Sequence, residues 1–137
     1  MQQKESSGNH EAVIVQQAEN FINSWFKQSI DDDSLELSEL FILPKGKTLD
    51  KQLVVNKIRN FFEPYPKFVG GRFDIIEADF ELTDSGKGFG YAEGALGYRA
   101  VLNNAESKII GGPFKIYFAL QNGNWKIVNI DFPGFEL

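Results

Sequence analysis

The sequence contains no cysteine, and it contains a single histidine, His10. Without thiols the chain cannot form a disulfide scaffold, a cysteine nucleophile or a thiolate metal site. A lone histidine near the N-terminus also argues against a zinc site and against a Ser-His-Asp triad. We therefore predict no metal site and no cofactor.

The chain also lacks clustered positive charge and long hydrophobic runs. Its 14 basic and 19 acidic residues give a net charge of −5, and no group of Lys and Arg stands out. This balance argues against nucleic acid or an anionic membrane surface as the main partner. The apolar runs are far shorter than the ~20 residues needed to cross a bilayer. We expect no nucleic-acid partner and no membrane span.

The first nine residues, MQQKESSGN, are polar and do not resemble the apolar region of a signal peptide. We predict a flexible polar tail at residues 1–9 and a single domain at residues 10–137, because this length suits one domain. A cytoplasmic location is favoured. The alternative is an exported protein, in which the tail is a linker that remains after a signal segment is removed.

The chain is rich in apolar and aromatic residues. Hydrophobic residues make up 42% of the sequence and include 13 Phe. Such a composition argues against wholesale disorder and supplies a core that needs no covalent staples.

The N-terminal part shows the period of amphipathic helices. Three helices are predicted, over residues 10–30, 33–43 and 49–62. Asp33 is the expected N-cap of the second helix, with Glu36 completing an approximate capping box, and Thr48 is the expected N-cap of the third. The residues expected to face the core are Ile14, Ala18, Phe21, Ile22, Trp25, Leu37, Leu40, Phe41, Val54, Val55, Ile58, Phe61 and Phe62.

After Gly70-Gly71 the period of the apolar residues changes from helical to alternating. In the first strand Ile76, Ala78, Phe80 and Leu82 alternate with acidic residues. A turn is expected at residues 83–86, and Asn122-Gly123 is the strongest hairpin signal in the chain. We predict four antiparallel strands over residues 72–82, 88–102, 108–121 and 125–132, which makes the fold class α+β.

The order of these elements and the last hairpin resemble the nuclear transport factor 2-like superfamily. Helices followed by a long meander match its cone-shaped fold, and Asn122-Gly123-Asn124-Trp125-Lys126-Ile127-Val128 is similar to its common ending. The resemblance covers roughly residues 11–132. It implies N-terminal helices packed on a strongly curved antiparallel sheet, with a cavity between them. It also implies dimerisation through the sheet, but it implies no particular reaction.

The last hairpin allows an inference about a site. A loop at Asn122-Gly123 pairs Leu120 with Trp125, and directly opposite residues share a face. The more apolar face, expected to turn toward the helices, then carries Asn129 and Asp131 beside Phe114, Phe118 and Trp125. Two polar groups on an apolar wall need partners or a ligand. The hypothesis is that these five residues line a binding pocket, while the alternative is that Asp131 is solvated and Asn129 bonds to backbone.

Glu93 is the second candidate for acid–base chemistry, but its facing depends on an open register. With a loop of four residues at 103–106, Tyr91 and Glu93 lie on the pocket face. With five residues, Ala92, Gly94 and Leu96 lie there instead, and Glu93 points to the solvent. Only in the first case can Glu93 and Asp131 form a pair of carboxyls in the pocket.

The opposite face of the hairpin is too apolar to be left to water. It includes Tyr117, Val128 and Ile130, which could be covered by residues 133–137 or by a second subunit. The resemblance favours the subunit, so we predict a homodimer through these three residues. For function, three hypotheses remain, namely a binding domain for a small apolar ligand or a protein partner, a cofactor-free isomerase or dehydratase with Asp131 as proton carrier, and a structural dimerisation module.

Overall fold

The computed structural model of the chain describes residues 7–83 and 86–137. Residues 1–6 of the predicted tail and the centre of the predicted turn at residues 83–86 lie outside these ranges. The helices and strands are α1 (Ser7–Phe26), β1 (Leu40–Ile42), β2 (Thr48–Asp50), α2 (Lys51–Phe62), β3 (Lys67–Thr83), β4 (Lys87–Val101), β5 (Ser107–Gln121), β6 (Asn124–Phe132) and β7 (Phe135–Glu136).

The first predicted helix is confirmed as α1, which begins three residues earlier than expected and ends at Phe26. Its apolar stripe is completely buried, because the residues recur at spacings of three and four and so lie on one side of the helix. The stripe residues Ile14, Ala18, Phe21, Ile22 and Trp25 are all 0% exposed.

The predicted second helix is wrong. The backbone N–H of Asp33 donates to the carboxylate of Asp31, and the N–H of Asp31 donates to the hydroxyl of Ser34. Such local bonds compete with the helical pattern, which is why the acidic run forms turns. Downstream, β1 pairs with β2 and buries Phe41, while Leu40 is 45% exposed instead of facing the core.

The third predicted helix is confirmed as α2, which begins at Lys51 and ends at Phe62, shortly before Pro64. Its N-cap is Asp50 instead of Thr48, because β2 extends to Asp50 and the helix begins only at Lys51. Apart from Phe61, which is half-buried, the predicted inward residues of α2 are at most 5% exposed.

The C-terminal part forms the predicted antiparallel sheet, with the order β3-β4-β5-β6-β7. The sheet therefore has one more strand than expected, because the short β7 pairs with the end of β6. The fold class is confirmed as α+β, and in the described residues two α-helices pack on the sheet. We call the face of the sheet toward the helices the inner face and the opposite one the outer face.

Two irregularities interrupt the alternation of β3 along the edge of the sheet. The register shifts between Val69 and Arg72 and again between Ile75 and Glu77. An extra residue in a strand reverses the facing of the residues after it. Ile75 is therefore half-buried against the core, whereas Ile76 is 73% exposed, contrary to the alternation expected from the sequence.

Trp25 of α1 is the centre of the core. Its ring lies 4.7 Å from that of Phe132, 4.9 Å from Phe62 and 5.4 Å from Phe135, measured between centroids. Its indole N–H donates to the hydroxyl oxygen of Tyr98 at 3.2 Å. Burial raises the pKa of Tyr98, which keeps this hydroxyl neutral. The one polar atom of the indole ring is thus satisfied inside an aromatic cluster.

We predict that Tyr98→Phe lowers the free energy of unfolding by about 1–3 kcal/mol, because the indole N–H of Trp25 loses its acceptor in a dry core. Urea denaturation measures this change. Tyr117→Phe, which removes a hydroxyl from the outer face, is the matched control and should change the value by less than about 0.5 kcal/mol. Equal effects of the two substitutions would contradict the role of the Trp25–Tyr98 bond.

Candidate functional site

The hairpin between β5 and β6 begins as the sequence predicts. Asn122 and Gly123 form its two-residue loop with φ of 53° and 82°, values that suit Asn and Gly. Leu120 pairs with Trp125, and Phe118 pairs with Ile127. The next pair, however, joins Tyr117 to Asn129, so Val128 is an extra residue in β6.

This bulge reverses the facing of the rest of β6. Ile130 and Phe132 face the core and are 2% and 3% exposed. Asn129 and Asp131 lie instead on the outer face, where Asp131 is exposed and pairs across the strand with Lys115. The predicted orientation of Asn129 and Asp131 toward the helices is therefore wrong.

The three apolar residues assigned to the same pocket do face the helices. Phe114, Phe118 and Trp125 are between 1% and 3% exposed. They pack into the core with the side chains of both helices. The space in which the sequence predicts a cavity is filled at this level by aromatic and aliphatic side chains.

The bulge also changes the surface predicted for dimerisation. Ile130 belongs to the core, and Val128 is 4% exposed. Of the three residues expected on an open outer face, Tyr117 alone is half-buried and available there. A substitution of Ile130 would therefore disturb folding before it disturbed any association.

The register of β4 follows the second of the two alternatives. Val101 pairs with Ser107, so the loop has five residues, 102–106. Ala92 and Leu96 face the core, and Glu93 lies on the outer face. Glu93 and Asp131 thus share a face after all, although it is the face away from the helices.

The structure brings together a row of charged residues that the sequence analysis did not identify. Successive pairings join Glu77 to Glu93, Glu93 to Lys115, Lys115 to Asp131 and Asp131 to Glu136, one residue from each strand. We call these five residues the charged row. The row contains one cation and four carboxylates. Its side chains are far apart in sequence, and only the strand registers could have revealed it.

Lys115 lies at the centre of the charged row and makes several contacts. Its ammonium nitrogen is 3.5 Å from a carboxylate oxygen of Glu93 and lies 4.4 Å from the centre of the Tyr91 ring. A second aromatic ring, that of Tyr117, is 5.2 Å away. Attraction to the rings and to the carboxylate holds the lysine against the sheet.

Tyr91 connects the row to the edge of the sheet. Its hydroxyl donates to a carboxylate oxygen of Glu77 at 2.7 Å. This hydrogen bond, together with burial and nearby carboxylates, raises the pKa of Tyr91 from 10.0 to about 12. A hydrogen bond donated by the neutral phenol to an anion favours the protonated form.

The charged row crosses a cleft of about 780 Å³ on the outer face. Glu93, Lys115, Asp131 and Glu136 line it, and Ile76 adds an exposed apolar side chain. The glycines and proline of residues 111–113 form part of its floor. The cleft therefore combines charged, apolar and small residues in one depression.

His10 has a structural contact that the sequence analysis missed. It is 9% exposed, and its Nδ1 atom accepts a hydrogen bond from the indole N–H of Trp125 at 3.1 Å. Its ring also lies 5.1 Å from that of Phe80. The expected flexible tail extends to Asn9, but Ser7–Asn9 already belong to α1. His10 therefore joins α1 to the start of β6.

The part of the chain that the structure describes contains neither a cluster of metal ligands nor a membrane-spanning helix. Within residues 7–83 and 86–137, no three His, Asp or Glu side chains are placed to hold a metal ion. No helix in those ranges is both long and apolar enough to cross a membrane.

Comparison with solved structures identifies several similar folds. A nuclear transport factor 2-like superfamily protein from Salmonella enterica is 17% identical, with a TM-score of 0.65 over 95% of both chains. The association domain of CaMKII from C. elegans is 10% identical, with a TM-score of 0.57 over 93% of this chain and 97% of that one. A putative CaMKII association domain from Xanthomonas campestris, also 10% identical, has a TM-score of 0.50 over 92% and 86%.

Sequence comparison adds nothing to these structural matches. No protein-family profile matches the chain. No curated protein matches it either. The likeness to solved structures confirms the cone-shaped fold expected from the sequence.

We predict that two substitutions at adjacent residues of β6 have very different effects on the free energy of unfolding. Ile130→Ala should lower the free energy of unfolding by about 2–5 kcal/mol, because it leaves a cavity in the core. Asp131→Asn should change it by less than about 0.5 kcal/mol, because this side chain is exposed. Chemical denaturation of both variants measures the difference. A large loss for Asp131→Asn with little loss for Ile130→Ala would contradict the bulge at Val128.

A second prediction concerns Tyr91, whose pKa is raised to about 12. Because the folded-state pKa is above the unfolded one, the Tyr91–Glu77 bond stabilises the fold fully below about pH 10 and is lost as the pH rises through about 12. Glu77→Gln should lower the pKa of Tyr91 toward 10.0, as measured by ultraviolet titration with Tyr91→Phe to assign the signal. Glu81→Gln is the control and should leave the titration unchanged.

Proposed function

We propose that this chain, which has the nuclear transport factor 2-like fold, is a self-association domain that forms a homodimer through the outer face of its sheet. The observation that carries the proposal is the set of large apolar side chains exposed there. Ile109 is 77% exposed, Ile76 is 73% exposed and Phe89 is 57% exposed. All three lie on the outer face, spread along its strands, and apolar exposure shared over one face is a feature of interaction surfaces.

The surroundings of these side chains support a protein partner. Tyr91 and Tyr117 lie between Phe89 and the charged row on the same face. Aromatic residues with a polar border are characteristic of protein interfaces. A second copy of the chain would cover these apolar and aromatic side chains.

The similar structures support association as well. Two of them are described as association domains of a kinase. Dimerisation through the sheet is also what the family resemblance implies. The proposal takes residues 10–137 as one domain and keeps the cytoplasmic location expected from the sequence.

The other two hypotheses have weaker support. A small apolar ligand between the helices and the sheet would need space that Phe21, Trp25 and Phe118 fill, each at most 1% exposed. An isomerase or dehydratase with Asp131 as proton carrier would need an apolar wall around that carboxyl, but Asp131 is exposed and lies beside Lys115. We therefore assign Asn129, Asp131 and Glu93 to the polar part of the association face.

We predict that Ile109→Ser weakens the homodimer by about a hundredfold, because a two-fold interface loses the same apolar contact twice. Sedimentation over a range of concentrations measures the dissociation constant. Leu35→Ser is the matched control, since Leu35 is 75% exposed outside the sheet, and it should leave association unchanged. A monomeric unsubstituted protein at high micromolar concentration would overturn the proposed function.

A further inference from the structure

The outer face has opposite charges at its two ends along the strands. At one end the side chains of Lys67, Arg72 and Arg99 point away from the helices. These residues pair with Val101, Gly97 and Ile109, respectively. At the other end the outward residues of β3 are Glu77, Asp79 and Glu81. Every one of these charged side chains is exposed. Along β3 the face therefore changes from positive to negative in the strand direction, while Lys87 and Lys126 add positive charge at the acidic end.

Two copies can meet face to face around a two-fold axis in two simple ways. If the axis runs along β5, the central strand, the charged row of one copy lies on the charged row of the other copy, with the order of the strands reversed. Glu93 then lies opposite Asp131 of the second copy, and Lys115 lies opposite Lys115. If the axis runs across the strands, each end of the face lies opposite the other end. Like charges disfavour the first arrangement and opposite charges favour the second.

The small residues of β4 and β5 indicate where the axis crosses the face. Ala95 pairs with Pro113, and the next outward pair is Gly97 with Gly111. With the axis at the level of Ala95 and Pro113, Glu93 and Lys115 of one copy lie opposite Gly97 and Gly111 of the other. The glycines leave room for these long side chains, and the backbones can approach at the axis.

The same register brings matching groups together farther from the axis. Ile109 lies opposite Tyr117, and Arg99 lies opposite Tyr91, where a guanidinium can stack on the ring. On the border, Arg72 lies opposite Glu77 and Lys67 lies opposite Glu81. Ile109 therefore meets an aromatic ring, and opposite charges meet on β3 on both sides of Asp74, which lies at the level of the axis opposite its own copy.

We propose that two copies of this chain pair antiparallel through the outer face, about a two-fold axis that crosses the strands at Ala95 and Pro113. The inference rests on the proposed function, because it specifies the geometry of that association. It makes Arg72 and Glu77 the residues that set the orientation of the second copy.

The absence of cysteine allows a direct test by crosslinking. In the antiparallel pair, residue 109 of one copy lies opposite residue 117 of the other copy. The two residues 109 are eight strand positions apart, about 26 Å. A short bismaleimide should therefore crosslink a mixture of Ile109→Cys and Tyr117→Cys, and should not crosslink either variant alone. Efficient crosslinking of Ile109→Cys with itself, and no crosslink between the two variants in the mixture, would overturn the orientation.

A charge exchange gives a second test that does not depend on cysteine variants. Arg72→Glu alone and Glu77→Arg alone should each weaken the dimer about tenfold or more, because each places like charges opposite each other twice. Mixing the two variants should restore dimers, since both facing pairs are then opposite in charge. In the control mixture of Arg59→Glu, on α2, with Glu77→Arg, mixed dimers should stay weaker than in the first mixture, because one of the two facing pairs still joins like charges.

The outcomes separate the orientation from the proposed function. A protein that is monomeric before any substitution overturns both. A dimer that Ile109→Ser weakens, but in which Arg72→Glu and Glu77→Arg do not rescue each other, overturns the orientation alone. Restoration in the mixture, together with crosslinking between residues 109 and 117, supports the antiparallel pair.

Discussion

The backbone of β6 accommodates an additional residue, Val128, between the pairs that join Phe118 to Ile127 and Tyr117 to Asn129. Both faces of the sheet depend on this bulge, because a single added residue exchanges inward and outward positions for the rest of the strand. It places Ile130 and Phe132 against Trp25 and the rest of the core. It also places Asp131 beside Lys115, which completes the charged row. Without the bulge, the core would contain a carboxylate and the outer face would lose one.

The periodicity of the sequence was sufficient for the elements that repeat regularly. The stripe of α1, the buried face of α2 and the loop at Asn122-Gly123 are local patterns, and the structure confirms them. The failures arose where a local pattern is interrupted. Asp31 and Ser34 bond to nearby backbone N–H groups instead of starting a helix. At Val128 and Ile76 an inserted residue changes the facing without changing the apolar composition, so alternation alone could not detect it.

For a related reason, the candidate site lies on the outer face in the structure and not in the interior, where the sequence predicts it. The sequence indicates which residues are apolar, but it does not indicate whether they leave a cavity between the helices and the sheet. Here Trp25, Phe62 and Phe132 meet in one aromatic cluster, which occupies the space that other members of such a fold could leave to a ligand. The charged row was equally hidden, because its five members come from five strands. The pairing of strands, which depends on loop lengths and bulges, had to be known first.

The two register shifts of β3 have a consequence for the size of the proposed assembly. β3 lies at the edge of the sheet, and such an edge can take up a further strand from a neighbouring chain and begin a fibre. The shifts near Gly70-Gly71 and Ile76 interrupt the regular line of backbone donors and acceptors, and Asp74, Glu77 and Asp79 add negative charge beside it. Pairing between sheet edges is therefore disfavoured. Contact between two outer faces would stop at two copies, because each outer face is then covered. The irregular edge would keep a sheet-rich domain in discrete pairs and out of open-ended polymers.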